Sequence, residues 1–382
     1  MSSESIKKVV GGSPAVRRLH HIRELDGIRG IAALAVFFHH LCFASMARPQ
    51  ESGIRLALYH VSHFGQYGVD LFFVLSGFLI TSLLIEDRTR PAYYVNFYWK
   101  RALRILPIYV LCLTAVLSFI PHSAGYVVLS LLFLANFARL FHIGVAGPFW
   151  TLAIEEQFYL IWPTVVRRRS VDELSRWAIG IFAGAILLRT IAACFGHHDY
   201  IFTFFHCDGL AAGALLACVF EKRERTGVLG NMRWLGGAFI VGLALFLVSQ
   251  FFTPQGGAPE SFSADALQTG VTLLVAAMAG FVILQRGKPA MAIFRSRILT
   301  FFGLISYAMY MVHAYLMGVY DAYSPFDVSA SLAAYWLRLT VVMAATILLC
   351  LVVRYAVELP AHSLRKYVLK RPAPETGPDQ NH

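Results

Sequence analysis

RGIAALAVFFHHLC, residues 29–42, decides how this chain is read. An apolar run opens on Arg29 and carries two adjacent histidines, His39 and His40. Such a run is read as a membrane-crossing helix, and ionisable side chains at that depth are costly enough to be functional candidates. Arg29 and His40 are eleven positions apart, which at about 100° per residue is roughly three turns plus 20°. Both side chains leave one helical face, about 16 Å apart along the axis. His39 points about 100° away and is the weaker candidate. Arg29 can snorkel to the interface, whereas His40 lies too deep to do so easily.

The rest of the chain has the same character. Of its 382 residues 57% are hydrophobic and 14% charged, against about 25% charged in soluble domains. Apolar segments recur from 28–46 to 332–354, eleven in all. If every one crossed, the Arg167–Arg169 cluster would face the side opposite the basic 86–102 loop, against the positive-inside rule. The conflict vanishes if 126–142 and 149–166 make a single net crossing. Neither is a clean span, since the first holds Asn136, Arg139 and His142 and the second Glu155 and Glu156. The expectation is an all-α polytopic membrane protein of about ten transmembrane helices, with one re-entrant or shallow segment near 126–166. A basic tail (1–27) precedes the transmembrane domain (28–356), and a partly disordered tail (357–382) follows it. With ten crossings the basic stretches share one side, so both termini are expected in the cytoplasm. No small-residue cleavage site follows the first span, which argues against a cleaved signal peptide. The net charge of +11 then reflects topology and not nucleic-acid binding. The six cysteines show no CxxC or metal-ligand spacing and are read as helix-packing residues, and no metal is expected.

Other polar groups interrupt the apolar pattern. Asp70, Ser76 and Gly77 lie in GVDLFFVLSGFLI (68–80), where capping and close helix crossing are the structural readings. FYWKRALRILP (97–107) places Lys100, Arg101 and Arg104 at the start of the third span, a cluster suited to phosphate or to anionic lipid. In FWTLAIEEQFYLIWP (149–163), Glu155 and Tyr159 stand four apart on one face. A glutamate at membrane depth needs a partner: an arginine, an imidazole it orients, or a hydroxylated substrate. Ser306, Tyr310 and His313 form one polar stripe, read as a cavity lining or an interhelical seam. Asp208 reads as a helix cap, and Glu358 with Pro360 as an interfacial stop.

Taken in order, these stretches resemble the acyltransferase 3 family of bacterial membrane-bound O-acyltransferases, over roughly residues 23 to 365. RELDGIRGIAALAVFFHH (23–40) resembles the family's opening motif, whose arginine, ten intervening residues and histidine fall on Arg29 and His40. GVDLFFVLSGFLI, FYWKRALRILPIY, WTLAIEEQFY, SYAMYMVH and VELP follow in the family's order, with its glutamate at Glu155. Thr151 stands where serine is common, and Lys100 where a second arginine is frequent. The resemblance implies about ten transmembrane helices and transfer of an acyl group, often acetyl, from acyl-CoA to a hydroxyl of a carbohydrate or glycolipid. It places the chain in a bacterial inner membrane.

The expected mechanism follows from both readings. Lys100, Arg101 and Arg104, with Arg29, hold the phosphates of the acyl-CoA. His40 takes the proton of the acceptor hydroxyl as it attacks the thioester, and Glu155 with Tyr159 orients His40 or the sugar. Asp70, Ser76, Tyr310 and His313 are expected to line the acceptor site. A covalent acyl-histidine intermediate is the variant. A transporter or flippase with buried ionisable residues is the alternative from another class, and a non-catalytic export partner a third.

Overall fold

The computed structural model describes residues 22–44, 53–144, 147–196, 201–226, 233–251, 260–325 and 331–364. The expected N-terminal tail up to residue 21 and the C-terminal tail from 365 lie outside the described residues. Among the described residues all regular structure is helical. Eight stretches are long and apolar enough to cross a membrane: Arg23–Cys42, Ile54–Asp87, Tyr93–Phe119, Val171–Cys194, Arg233–Gln250, Ser263–Leu284, Arg297–Tyr323 and Leu332–Ser363. Two more helices of similar length do not qualify: Phe149–Arg168 is too polar on average, and Asp208–Thr226 ends in a charged run. The eight apolar spans and these two make ten long helices among the described residues, in line with the expected number of about ten.

The chain opens with α1 (Arg23–His39), which continues as a π-helical turn over His40–Ala44. It begins five residues before the expected start of the membrane domain. Glu24 and Asp26 in its first turn suit the positive end of the helix dipole. Buried Glu24 also accepts the Gly287 amide (2.9 Å) and Arg295 Nη1 (3.0 Å), tying the helix start to a distant loop. Next come α2 (Ile54–His63), α3 (Gly68–Asp87) and α4 (Tyr93–Phe119). Because α4 starts at Tyr93, Lys100, Arg101 and Arg104 lie inside the helix and not ahead of it.

The expected irregular segment takes the form of α5 (Ala124–Leu131) and a 3-10 turn (Ala135–Phe141). Eight residues rise only about 12 Å, short of a hydrocarbon core of about 30 Å. The return is fixed by a polar knot. Gln157 donates to Phe133 O (2.6 Å) and Asn136 Oδ1 (3.0 Å), and Asn136 donates to Thr203 Oγ1 (2.9 Å). Asn136 thus breaks the hydropathy of 126–142 because its amide is spent inside the protein.

The second half comprises α6 (Phe149–Arg168), α7 (Val171–Cys194), α8 (Thr203–His206), α9 (Asp208–Thr226), α10 (Arg233–Phe251), α11 (Glu260–Leu284), α12 (Arg297–Tyr323), α13 (Leu332–Val353) and α14 (Leu359–Ser363). α7 starts on a reciprocal capping box between Ser170 and Glu173. Ser296 and Ser331 cap α12 and α13. Lipid tails are as apolar as leucine, so helices in a bilayer associate through close packing and polar bonds. α1 and α12 meet at Gly30 and Gly303, where a Cβ would run into the carbonyls of Leu299 and Asp26. α3 and α9 meet at Gly77 and Gly213, against the carbonyls of Leu210 and Val74. These crossings draw α1, α3, α6 and α12 around one centre. The described cysteines are all free, and Cys42, Cys112, Cys218 and Cys350 are buried in the helix packing.

Candidate active site

Two cavities occupy that centre. The first is narrow, about 90 Å³, and is lined by Arg29 from α1, Ser76 from α3, Arg101 and Arg104 from α4, Glu155 from α6, and Ser306 and Tyr307 from α12. Glu155 is the one carboxylate among its lining residues. It accepts Ser76 Oγ on one oxygen (2.8 Å) and Tyr159 OH on the other (3.2 Å). The Arg101 guanidinium lies over the Tyr159 ring, 4.4 Å from its centre. Such a stack holds the cation without neutralising it. Three guanidiniums face one carboxylate among the lining residues, with Asp26 acting on Arg29 and Glu358 on Arg104 from behind, a set of forked donors suited to an anionic group.

The second cavity is roomier, about 450 Å³, and is lined by His39, His40, Asp70, Trp150, His206 and His313 among others. Val69 and Tyr310 line both, so the cavities meet at these two side chains. At the junction Tyr310 OH and Thr151 Oγ1 are hydrogen-bonded at 2.9 Å. Thr151, the residue that replaces the family's usual serine, thereby keeps the hydroxyl in use.

Hydrogen bonding assigns the protons of the two central imidazoles. His313 Nδ1 lies 2.9 Å from Met309 O, and His40 Nδ1 lies 2.9 Å from Val36 O. A carbonyl only accepts, so both Nδ1 atoms carry hydrogens. His313 Nε2 lies 3.2 Å from His40 Nδ1 and shares the one hydrogen there as the longer branch of a bifurcated bond whose shorter branch goes to Val36 O. In an uncharged His40 ring the unprotonated nitrogen is therefore Nε2, the arrangement a general base requires. His39 lines the same cavity, but its Nδ1 is engaged with Ser62 O at 3.2 Å.

On the opposite wall Asp70 accepts Gln268 Nε2 (2.5 Å) and stands 3.6 Å from His206 Nε2. The segment carrying His206 is pinned by Arg189, which is fully buried. Arg189 pairs with Asp208 and Asp265 at 2.8 Å each, and also donates to Thr269 and the Phe205 carbonyl. Asp208 opens α9 and accepts the adjacent Gly209 amide on one oxygen, while its other oxygen pairs with Arg189, so the position expected to be a cap serves an ion pair.

The structure sorts the candidates of the sequence differently from their expected grouping. Arg29, Arg101, Arg104, Ser76 and Glu155 share the narrow cavity, whereas His40, His313 and Asp70 share the wide one, and Tyr310 belongs to both. Lys100 lines neither cavity and pairs with Asp87 at 3.1 Å. Glu155 and Tyr159 bond to each other and to Ser76, while the ring bonded to His40 is His313. His206, Gln268, Arg189 and Asp265 were not singled out from the sequence. The signal was present for Arg189 and Asp265, each a charge inside an apolar segment, but partners 76 residues apart cannot be matched by spacing.

Comparison with known proteins bears on the same residues. A peptidoglycan O-acetyltransferase of Listeria monocytogenes is 32% identical over 163 residues, 37% of this chain and 24% of that protein. A Bacillus subtilis protein provisionally named as a peptidoglycan O-acetyltransferase is 34% identical over 171 residues, 38% of this chain and 24% of its own. A Staphylococcus aureus protein provisionally named as an O-acetyltransferase is 27% identical over 348 residues, 82% of this chain and 53% of its own. The chain thus spans about half or less of the length of these relatives. No solved structure matches it. The family model described as an acyltransferase domain matches residues 22–355, and the chain, whose signature residues line two adjacent cavities, belongs to the acyltransferase 3 family.

Proposed function

We propose that this chain is an integral-membrane O-acetyltransferase that moves an acetyl group from acyl-CoA to a hydroxyl of a cell-envelope carbohydrate. The observation that carries the reading is the meeting of an arginine-lined cavity and a histidine-lined cavity at Tyr310 and Val69. One end suits an anionic donor and the other a hydroxyl to be deprotonated. The names of the bacterial relatives point to O-acetyl transfer, and those from Listeria and Bacillus to a peptidoglycan acceptor. The plasma membrane, with both termini in the cytoplasm, is the location that the distribution of lysine and arginine favours.

In this mechanism Arg29, Arg101 and Arg104 hold the phosphates of the donor, and Glu155 keeps the arginine cluster in register through Ser76 and Tyr159. The thioester lies past Tyr310. His40 Nε2 takes the proton of the acceptor hydroxyl while the oxygen attacks the thioester carbonyl. His313 holds the His40 ring in the tautomer this needs. When the tetrahedral intermediate collapses, the carbon–sulfur bond breaks and the thiolate takes the proton from His40. Asp70 and His206 present hydrogen-bonding groups to the acceptor, with Trp150 as an apolar face for the sugar ring.

The test is acyl transfer from labelled acetyl-CoA to envelope glycans in membranes carrying His40→Ala or His40→Gln. Transfer at least 100-fold below the parent is expected, in line with the usual contribution of a general base. Undiminished transfer by either variant sinks the mechanism.

A further inference from the structure

His40 sits where α1 stops being an α-helix. Over His40–Ala44 the chain makes a π turn, whose carbonyls leave the usual α-helical line. His40 opens the turn with its amide still bonded to the Val36 and Phe37 carbonyls of α1, so its ring is held on one side by α1 and on the other by whatever engages the turn. The narrow end of the α1–α12 contact is set by Gly30 and Gly303. Those glycines lie ten and more residues from His40 and leave the far end to other contacts.

At that far end stands Arg338 of α13, only 1% exposed. Each of its three guanidinium nitrogens donates a hydrogen bond. Nε and Nη2 fork onto Asp321 Oδ1 and Oδ2 of α12, each at 2.7 Å. Nη1 donates to the carbonyl of Leu41, inside the π turn and next to His40, also at 2.7 Å. An interhelical ion pair needs only the first two bonds. The third ties the π turn of α1 to α12, the helix that carries His313.

We infer that Arg338, oriented by Asp321, is a positioning residue that fixes His40 against His313 by holding the Leu41 carbonyl. Arg338 lies outside the lining of both cavities and acts through the backbone of α1. This role rests on the acyl-transfer reading above.

The decisive variant replaces the pair by apolar residues, Arg338→Met with Asp321→Leu. Arg338 is buried while Asp321 is 38% exposed, so the double change leaves no charge stranded in the interior, and the fold is expected to survive. The donor to Leu41 O is then gone while the arginine cavity is untouched. In purified protein reconstituted in nanodiscs with envelope glycan added as the acceptor, release of CoA thiol from acetyl-CoA gives kcat and KM, and thermal melting reports the fold. The expected result is a melting point near the parent's, KM for acetyl-CoA within twofold, and kcat at least tenfold lower. A folded double variant with kcat within twofold of the parent overturns the inference. If the double variant fails to assemble, Arg338→Lys decides. It keeps the charge beside Asp321 but lacks the planar fork, so kcat falls at least fivefold at unchanged KM. Parental turnover in Arg338→Lys is the overturning result there. His40→Ala is run alongside: activity surviving in it defeats the role of His40 as the base, on which this inference rests, whereas its loss beside a fully active Arg338 variant defeats only the positioning role.

Discussion

Replacing Arg104 by glutamine separates a cavity built for an anion from one built for stability. Arg29, Arg101 and Arg104 line a space of about 90 Å³ with Glu155 as its one lining carboxylate. Like charges so placed oppose one another when nothing occupies the space. Arg104→Gln removes one of them and keeps a polar side chain, so the empty protein is expected to melt at the parental temperature or above. The same change deletes a charge-assisted hydrogen bond to a bound phosphate, worth about 1.5–3 kcal/mol. At about 1.4 kcal/mol per decade, the dissociation constant of acetyl-CoA rises roughly 10- to 150-fold. Thermal melting in nanodiscs with and without acetyl-CoA reads both effects. At a concentration of about 100 times Kd the donor adds about 2.7 kcal/mol to the parent. At that concentration Arg104→Gln should gain only about 1.4 kcal/mol or less. A variant that melts well below the parent, yet keeps the full gain from acetyl-CoA, refutes the reasoning and makes the arginines structural.

Three further outcomes follow from the packing. Arg189→Met strands the Asp208 and Asp265 carboxylates in the interior and is expected to cost about 3–5 kcal/mol; size-exclusion profiles of tagged protein should show loss of the folded peak, and an unchanged profile contradicts the account. Gly303→Ala drives a methyl group into the Asp26 carbonyl at the α1–α12 crossing. A cost of about 1–3 kcal/mol is expected, read as a lowered melting point, and a parental melting point would show that the crossing is looser than described. Thr151→Ser keeps the hydroxyl that bonds Tyr310 and should retain turnover, whereas Thr151→Val loses the bond, about 1 kcal/mol, and should slow CoA release severalfold. Equal rates for the two variants would remove Tyr310 anchoring from the mechanism.

How much was legible in the sequence depends on the range of the physics involved. The Arg29–His40 face could be read because helical periodicity is local. The stripe Ser306, Tyr310 and His313 could be read as a cavity lining for the same reason, and its residues do line the two cavities. The weakness of 126–142 as a span was visible in Asn136, whose amide turns out to be bonded to Thr203. The pairing of Glu155 with Tyr159 was legible as a four-residue spacing, but the distant partners of Glu155 and His40 were not. Glu155 finds Ser76, 79 positions away, and His40 finds His313, 273 positions away. Lys100, Arg101 and Arg104 looked like one basic cluster, but within a helix Lys100 turns to Asp87 while the arginines turn inward.

By itself, then, the sequence determined the class of the molecule: an all-helical membrane protein, with the motifs of an acyltransferase spaced in order along it. Hydropathy, charge and a 3.6-residue period are written residue by residue, and a bilayer leaves few alternatives to helices. Only the tertiary structure decided which polar groups share a cavity. That choice is made by the glycine crossings of α1 with α12 and of α3 with α9, and by pairs formed on buried arginines, Arg338–Asp321 and Arg189–Asp265. Each joins positions far apart in the chain, so each exists only once the helices have packed.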